Sequence, residues 1–218
     1  MSNCEPINLS PADRALFDSG RLLPVMEMFY SLQGEGHNTG KPAAFLRIGG
    51  CDVGCHWCDV KEAWDASVHP LTRIDDIVDY VASFPARAVV ITGGEPLSYN
   101  LDPLCTALKQ KSITIFVETC GAYPLSGRFD WVCLSPKRNQ PPLSEMLHMA
   151  DELKVIVHKS ADLQWAEKNA LLVKEKCLLY LQPEWSKYQD ILPVIVDYVK
   201  TDPRWMVSLQ AHKFMNIP

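Results

Sequence analysis

Three cysteines lie within eight residues in the stretch GGCDVGCHWCDV, at Cys51, Cys55 and Cys58. Thiols clustered this closely in a reducing compartment point to metal or redox chemistry. A disulfide uses two thiols, and a structural zinc site uses four ligands. The spacing C-x3-C-x2-C therefore predicts a metal-containing group whose fourth position is filled by something other than a thiol of this loop.

Two kinds of group could use these thiols. Zinc would need a fourth ligand, and His56 lies inside the loop, although its position next to Cys55 is awkward for sharing one tetrahedron. An iron–sulfur cluster is usually held by four thiolates, so a 4Fe–4S cluster held by three leaves one iron open for chemistry. The spacing favours the cluster and leaves both alternatives open.

The rest of the chain has the composition of an ordinary globular protein. It has 218 residues, 47% hydrophobic and 22% charged, and its net charge of −5 gives no global basic field that would attract nucleic acid. The first residues lack a signal peptide, and no apolar stretch is long enough to span a membrane. We therefore expect a cytosolic protein without nucleic-acid or membrane partners. The cysteines outside the loop are expected to be ordinary thiols: Cys4, Cys105, Cys120, Cys133 and Cys177.

Short apolar runs that end in glycine or polar residues recur between residues 43 and 213. They are β-branched and nearly continuous, as strands buried on both faces are. Helical segments separate several of them, and residues 72–84 repeat apolar side chains at the helical period, with Thr72 as the expected N-cap. This alternation predicts an α/β fold with a parallel sheet.

Polar residues follow five of these runs where each predicted strand ends. In barrels and open α/β sheets, the carboxyl ends of the strands form the edge where ligands bind. A single such end would be explained by a turn, but five ends that carry Glu, Lys, Gln or His predict a shared site. The ends are Gly93–Glu95, Glu118–Thr119, Ser135–Lys137, Gln182–Pro183, and Gln210 with His212.

The cysteine spacing, with the aromatic Trp57 directly before the last cysteine, resembles the signature of the radical S-adenosylmethionine (SAM) superfamily. That resemblance implies an incomplete TIM-like barrel in which SAM occupies the open iron of a 4Fe–4S cluster and is cleaved to a radical. ITGGEP, residues 91–96, resembles the motif of the superfamily that receives the methionine part of SAM. The implied SAM-binding residues are Trp57, Gly93, Gly94, Glu95, Ser135, Pro136, Lys137, Gln182 and Pro183.

Residues 29–64, with LQGEG and the cysteine loop, and residues 208–218 closely resemble the 7-carboxy-7-deazaguanine synthase family. The resemblance implies a carbon–nitrogen lyase of queuosine and other 7-deazapurine biosynthesis. It would convert 6-carboxy-5,6,7,8-tetrahydropterin to 7-carboxy-7-deazaguanine and ammonia, with flavodoxin or ferredoxin as electron donor. A homodimer is also expected. The resemblance runs from about Val25, so we expect a single radical SAM domain at 25–218 after an N-terminal extension at 1–24.

A pterin presents a guanine-like edge that needs both donors and acceptors, and Gln33 and Glu35 offer them. Its carboxylate suits bidentate binding by Arg47, whose family position supports that role. His212 could donate to the pterin or relay a proton, but no residue is assigned as a catalytic acid or base. The implied substrate-binding residues are Leu32, Gln33, Gly34, Glu35, Arg47, Thr92, Glu118, Gln210, His212 and Pro218.

Val60 departs from the family pattern. Many members have Thr or Ser two residues after the third cysteine, and that hydroxyl helps to hold Mg²⁺, whereas a valine side chain offers no ligand. Mg²⁺ could still bind through the substrate, water, a backbone carbonyl or Asp59. We expect a retained but weaker dependence on Mg²⁺.

Two other functions remain possible on the sequence alone. The first is a zinc-stabilised binding module, which anaerobic reconstitution would exclude by yielding a brown iron–sulfur protein. The second is another radical SAM enzyme, such as an activator of a glycyl-radical partner. LQGEG argues against the second alternative, because an enzyme with a protein substrate needs no pocket for a small pterin.

Overall fold

A nine-stranded sheet organises the structure, a computed structural model that describes residues 9–218. Cys4 therefore lies outside the described residues. The strands are β1 (Leu22–Leu32), β2 (Pro42–Ile48), β3 (Leu71–Arg73), β4 (Ala88–Gly93), β5 (Thr114–Thr119), β6 (Trp131–Leu134), β7 (Glu152–Val157), β8 (Leu178–Pro183) and β9 (Trp205–Val207). The helices are α1 (Pro11–Asp18), α2 (Ile74–Ala82), α3 (Asp102–Gln110), α4 (Ser144–Met149), α5 (Asp162–Ala170), α6 (Tyr188–Thr201) and α7 (Ala211–Met215).

The strand order is β3-β1-β2-β4-β5-β6-β7-β8-β9. All pairings from β2 to β9 are parallel, whereas β1 pairs antiparallel with both β2 and β3. Within residues 9–218 the sheet is thus unclosed, with β3 and β9 at its edges. The predicted α/β fold with a mostly parallel sheet is confirmed.

The two faces of the sheet carry different side chains because successive strand residues point to opposite faces. Leu153, Val155 and Val157 of β7 belong to the main core, which also contains helix residues such as Ile77 and Leu104. The intervening residues of the central strands point to the opposite, concave face. Several of these are polar: Thr92, Glu118, Lys154 and Gln182.

Strand β1 was not predicted from the sequence, and the expected cap of α2 is wrong. Thr72 lies in β3 opposite Leu23, and Arg73 is the residue before α2. The antiparallel β1 pairs with β3 at one end and β2 at the other, with an irregularity after Val25. A strand that changes partners in this way has no single apolar period to recognise.

The division at Val25 stays a prediction. Strand β1 already begins at Leu22, and both Leu22 and Leu23 are buried. Phe17 of α1 packs edge-on against Tyr99, with ring centroids 5.8 Å apart. The described part of the expected extension therefore contacts the rest of the fold. No helix among residues 9–218 is long and apolar enough to cross a membrane.

Candidate active site

The cysteine loop begins directly after β2. Its ends are held together because Gly50 N donates to Ala63 O at 2.6 Å and Cys51 N donates to Trp64 O at 2.9 Å. Within the loop, Cys58 N donates to Cys55 O at 3.0 Å. These bonds bring the three thiols to the lining of one cavity, next to the carboxyl ends of the parallel strands.

Gly93 and Gly94 let the end of β4 lie against this loop. A Cβ on Gly93, whose φ is +133°, would lie 2.1 Å from Ile48 O, and a Cβ on Gly94 would lie 2.1 Å from Gly50 O. Gly94 N donates to Ile48 O at 2.8 Å, and Glu95 N donates to Gly50 O at 2.9 Å. Glycine is required here because any side chain would push the two segments apart.

Glu95 is only 2% exposed and has partners within the protein. Its carboxylate accepts hydrogen bonds from Thr119 Oγ1 at 2.6 Å, Cys120 N at 2.8 Å and Leu97 N at 3.1 Å. These contacts fix the carboxylate at the edge of the cavity. Its expected role as a SAM-binding residue stays a prediction.

The cavity encloses about 940 Å³ of empty space, part of it open to solvent. It brings together residues from both halves of the predicted site. Lining residues expected from the sequence are Cys51, Cys55, Cys58, Trp57, Gly93, Gly94, Glu95, Ser135, Lys137, Gln182, Pro183, Glu35, Thr92, Glu118 and Gln210. Lys137 Nζ donates to both Ser135 O and Ser135 Oγ at 2.6 Å and lies 5.5 Å from the centre of the Trp57 ring.

A buried hydrogen-bonded group, here named the carboxylate frame, consists of Gln33, Glu35, Glu118, Lys154 and Gln210. Lys154 Nζ donates to Glu118 Oε2 at 2.8 Å and also to Glu35 Oε2. Gln33 Nε2 donates to Glu118 Oε1 at 2.8 Å, and Gln210 Nε2 donates to Glu35 Oε1 at 2.9 Å. Every carboxylate oxygen of the frame thus accepts at least one hydrogen bond from the protein.

Glu35 and Lys154 keep their charges at neutral pH. Burial acts to raise the pKa of Glu35, but the charge of Lys154 and hydrogen bonds from Lys154 and Gln210 outweigh it and lower the pKa to about 2. Burial likewise acts to lower the pKa of Lys154, but Glu118 and Glu35 raise it well above its ordinary value. Glu35 and Lys154 therefore stay ionised together.

Seven expected residues lie around the cavity and are not part of its lining, and one of them, Gln33, lies in a smaller neighbouring cavity with Glu118 and Glu152. Gly34 packs under the ring of His212, since a Cβ there would lie 2.1 Å from Nδ1, and burial lowers the pKa of His212. Pro136 lines a neighbouring groove. Leu32 ends β1, and the main-chain oxygen of Pro218 accepts from Ser31 Oγ at 3.1 Å. Arg47 forms an ion pair with Glu27 at 2.7 Å, on the strand next to Thr92.

Lys154 was missed by the sequence analysis. A lysine in the middle of the apolar run ELKVIV, in a strand expected to be buried on both faces, was the available signal. A buried charge must be paired, so such a lysine predicts nearby carboxylates. The sequence alone could not say which carboxylates, because Glu35 and Glu118 lie 119 and 36 residues away.

Val60 and Asp59 follow the last cysteine of the loop. Val60 precedes a short 3₁₀ turn, Lys61–Ala63, and offers no oxygen from its side chain. Asp59 lines the cavity, and its Oδ2 accepts from Lys213 Nζ at 3.0 Å and Gln210 Nε2 at 3.1 Å. Asp59 thus connects the cysteine loop to the C-terminal segment that carries Gln210.

The loop fits an iron–sulfur cluster better than zinc. Three thiols of one loop line the cavity, and His56, the candidate fourth zinc ligand, is exposed and faces His158 with ring centroids 5.6 Å apart. Among residues 9–218 no group of three or more His, Cys, Asp or Glu side chains is arranged around a single metal ion. A cluster held by three thiolates needs no such convergence on one point and leaves its open iron facing the cavity.

Comparisons with known proteins agree with this geometry. Residues 46–133 match the model of the Radical SAM superfamily. A 7-carboxy-7-deazaguanine synthase of Flavobacterium psychrophilum is 51% identical over 201 residues, covering 92% of this chain and 95% of the relative. The synthase of the same name from Synechocystis is 44% identical and covers 89% and 93% of the two chains.

A solved structure is also similar. The crystal structure of QueE from Escherichia coli matches with a TM-score of 0.78 and 31% sequence identity, covering 93% of this chain and all of that chain. Together with the superfamily match and the unclosed sheet, this similarity confirms the expected incomplete TIM-like barrel of radical SAM type.

Proposed function

Because the chain belongs to the 7-carboxy-7-deazaguanine synthase family of radical SAM enzymes, we propose that its cavity holds SAM beside the cysteine loop and the pterin beside the carboxylate frame. The enzyme is a lyase that converts 6-carboxy-5,6,7,8-tetrahydropterin to 7-carboxy-7-deazaguanine and ammonia in queuosine biosynthesis. The expected family, activity and cofactors, a 4Fe–4S cluster and SAM, are confirmed. The assignment of individual residues is the proposal.

Cys51, Cys55 and Cys58 would hold the cluster, and the remaining residues of the loop side would hold SAM. The bound cluster and SAM together supply a carbon-centred radical that takes a hydrogen atom from the substrate. Backbone groups of Gly93 and Gly94 lie close enough to the loop to contact the methionine part. Lys137, fixed by Ser135 and lying over Trp57, offers donors to oxygen atoms of SAM.

The carboxylate frame would bind the pterin edge. The carboxylates of Glu35 and Glu118 would accept from ring N–H and amino groups, whereas the side-chain amides of Gln33 and Gln210 fix the orientation of those carboxylates. Arg47 lies beside Thr92 on the concave face, and exchanging Glu27 for the substrate carboxylate would preserve its ion pair. Leu32, Gly34, His212 and Pro218 would form the outer boundary of this half of the site.

The observation that carries the proposal is that one cavity joins three thiols of a single loop to two half-buried carboxylates that share the ammonium of Lys154. The test is anaerobic turnover of the reconstituted protein with SAM, a reductant and the carboxytetrahydropterin. Mass spectrometry should detect 7-carboxy-7-deazaguanine. Cleavage of SAM without conversion of the pterin would contradict the proposed substrate half of the site.

We propose that Mg²⁺ binds more weakly than in relatives with a hydroxyl at the position of Val60, with Asp59 as an oxygen donor near the substrate. Val60→Thr should lower the Mg²⁺ concentration for half-maximal turnover about tenfold, since even outer contacts of metal ligands change affinity by about 10–100-fold. The measurement is a Mg²⁺ titration after EDTA treatment. Val68→Thr, at an exposed position, is the matched control. An unchanged titration for Val60→Thr would show that the missing hydroxyl does not set metal affinity.

We also propose that the electron donor, a flavodoxin or ferredoxin, docks on a groove beside the cysteine loop. This basic groove encloses about 1270 Å³ of empty space. Arg138 crosses it, paired with Asp162 at 3.0 Å and lying 5.1 Å from the centre of the Trp165 ring. The positive charge of the groove complements an acidic partner. Cys55 and Trp57 of the cysteine loop also line the groove. The basic lining residues are His56, Lys137, Arg138, His158 and Lys159, and Asp162 is the acidic one.

Lys159→Glu should slow turnover driven by reduced flavodoxin about tenfold, because reversing a charge at a steered interface lowers the association rate by about 10-fold or more. Turnover driven by dithionite, a small molecule that needs no docking surface, should change little. The measurement is the initial rate with each reductant, and Lys200→Glu, on the exposed side of α6, is the control. Equal slowing with both reductants would contradict the docking proposal.

The expected homodimer is also a proposal. Trp185, Phe214 and Met215 are exposed, and the rings of Trp185 and Phe214 lie 5.6 Å apart. This apolar surface near the C-terminal helix offers a place for self-association. Light scattering on the purified protein measures the oligomeric state directly.

A further inference from the structure

Lys154 lies at the centre of the carboxylate frame. It projects from the middle of β7, between the core residues Leu153 and Val155, and its side chain is 3% exposed. Its Nζ contacts one carboxylate oxygen of Glu35 and one of Glu118. A single ammonium therefore bridges two half-buried carboxylates that come from different parts of the chain.

Other titratable groups pack around this unit. Burial raises the pKa of Cys133 on β6 and of Glu152 on β7, and burial lowers the pKa of His212 on α7. Each of these groups is thereby shifted toward its neutral form. The fixed charges at the centre of the frame are those of Glu35, Glu118 and Lys154, with a sum of −1.

We propose that Lys154 is a positioning residue that holds the carboxylates of Glu35 and Glu118 at a fixed spacing, so that both accept hydrogen bonds from the N–H edge of the pterin. This inference rests on the proposed function. The protein supplies a donor to each carboxylate oxygen, and a carboxylate has about four lone-pair sites, so acceptor capacity is left for a ligand. The frame is therefore an acceptor surface, with its net negative charge facing the cavity.

Such a surface selects a class of heterocycle. A 2-amino-4-oxopyrimidine ring presents adjacent N–H groups, and these donors match carboxylate acceptors. The 2-oxo analogue, a tetrahydrolumazine, replaces the amino group with an oxygen that would face a carboxylate. A site built to bond an N–H rejects an analogue that lacks it, because its own buried groups are left unpaired.

Removing the ammonium should change the protonation of the pair. Two carboxylates that share a buried site cannot both ionise easily, so one pKa rises. A protonated carboxyl would present a donor where the pterin needs an acceptor. This defect should be greatest at low pH and should lessen as the pH rises through the raised pKa, because ionisation restores the second acceptor.

The test compares Lys154→Met, Lys154→Arg and the exposed control Lys200→Met, whose lysine is 73% exposed in the native protein. Turnover of the carboxytetrahydropterin is measured with dithionite between pH 6 and pH 9, and SAM binding is read from the electron paramagnetic resonance spectrum of the reduced cluster. For Lys154→Met we expect KM to rise about 30-fold or more at pH 6, as for the loss of a charged hydrogen-bond partner, and less at pH 9. The spectral response to SAM should be unchanged. Lys154→Arg should restore part of the affinity, and the preference of Lys154→Met for the pterin over the tetrahydrolumazine should fall.

Three results would overturn the proposal. The first is a Lys154→Met enzyme with the KM and pH profile of the native enzyme. The second is loss of the SAM response together with pterin turnover, which would indicate a merely structural role. The third result concerns a Lys154→Met variant that does not fold. The double variant Lys154→Met/Glu118→Gln should then recover thermal stability, because it removes one of the two unpaired charges. Failure to recover thermal stability would overturn the proposal. Native enzyme that binds SAM but does not convert the pterin would instead contradict the proposed function itself, and the inference with it.

Discussion

Replacing Cys51, Cys55 or Cys58 by alanine is expected to abolish cluster binding and turnover. Each thiol lines the cavity from one loop, so loss of any one leaves only two thiolates in the loop. Turnover should fall more than about 100-fold, since even changes outside the direct ligands cost about 10–100-fold in metal affinity or activity. The measurements are iron content, visible absorbance after anaerobic reconstitution, and formation of 5′-deoxyadenosine.

Cys120→Ala is the matched control for these variants. Cys120 also lines the cavity, but it follows β5, and its N–H is bonded to the carboxylate of Glu95. Iron content in this variant should equal that of the native protein. Full iron loading in any one of the three loop variants would contradict the assignment of the ligands.

Glu35→Gln is expected to remove pterin turnover while SAM binding persists. The substitution preserves the shape of the side chain but replaces an ionised acceptor, whose pKa is about 2, with a neutral amide. It also leaves Lys154 with one carboxylate. Hydrogen bonds to charged groups are worth roughly 1.5–3 kcal/mol, so kcat/KM for the pterin should fall about 100-fold. Steady-state kinetics and the spectral response of the cluster to SAM measure the two halves of the site separately.

Glu152→Gln is the control, at a buried carboxylate two residues before Lys154 on the same face of β7. Burial raises the pKa of Glu152, so a neutral amide resembles the form that burial favours. Its Oε2 accepts from Trp131 Nε1 at 3.0 Å and from His37 N at 3.2 Å, and an amide oxygen accepts equally well. The kcat/KM of Glu152→Gln should stay within about threefold of the native value. A threefold change corresponds to less free energy than the roughly 1 kcal/mol that one neutral hydrogen bond typically contributes. If Glu35→Gln lost the response to SAM but kept its affinity for the pterin, the division of the cavity would be wrong.

Much of the fold could be predicted because it depends on short-range patterns. Seven strands, β2 and β4 to β9, are apolar runs that end in polar residues, and the apolar residues of α2 recur at the helical period. Strand β1 could not be predicted in this way, because its burial is set by two partners on different parts of its length. The cap expected at Thr72 failed for a related reason, since pairing with Leu23 places that residue in a strand.

The sequence by itself determined the chemistry that the chain can perform. The spacing of Cys51, Cys55 and Cys58 is local, and so is the pair Gly93 and Gly94 after β4, so each could be read from a few neighbouring residues. Only the tertiary structure decided which charges meet. Strand order and register bring Glu35, Glu118 and Lys154 together across long stretches of chain, and they set Arg47 against Glu27. Such pairings depend on the whole sheet, because each buried charge must find its partner on another strand or loop.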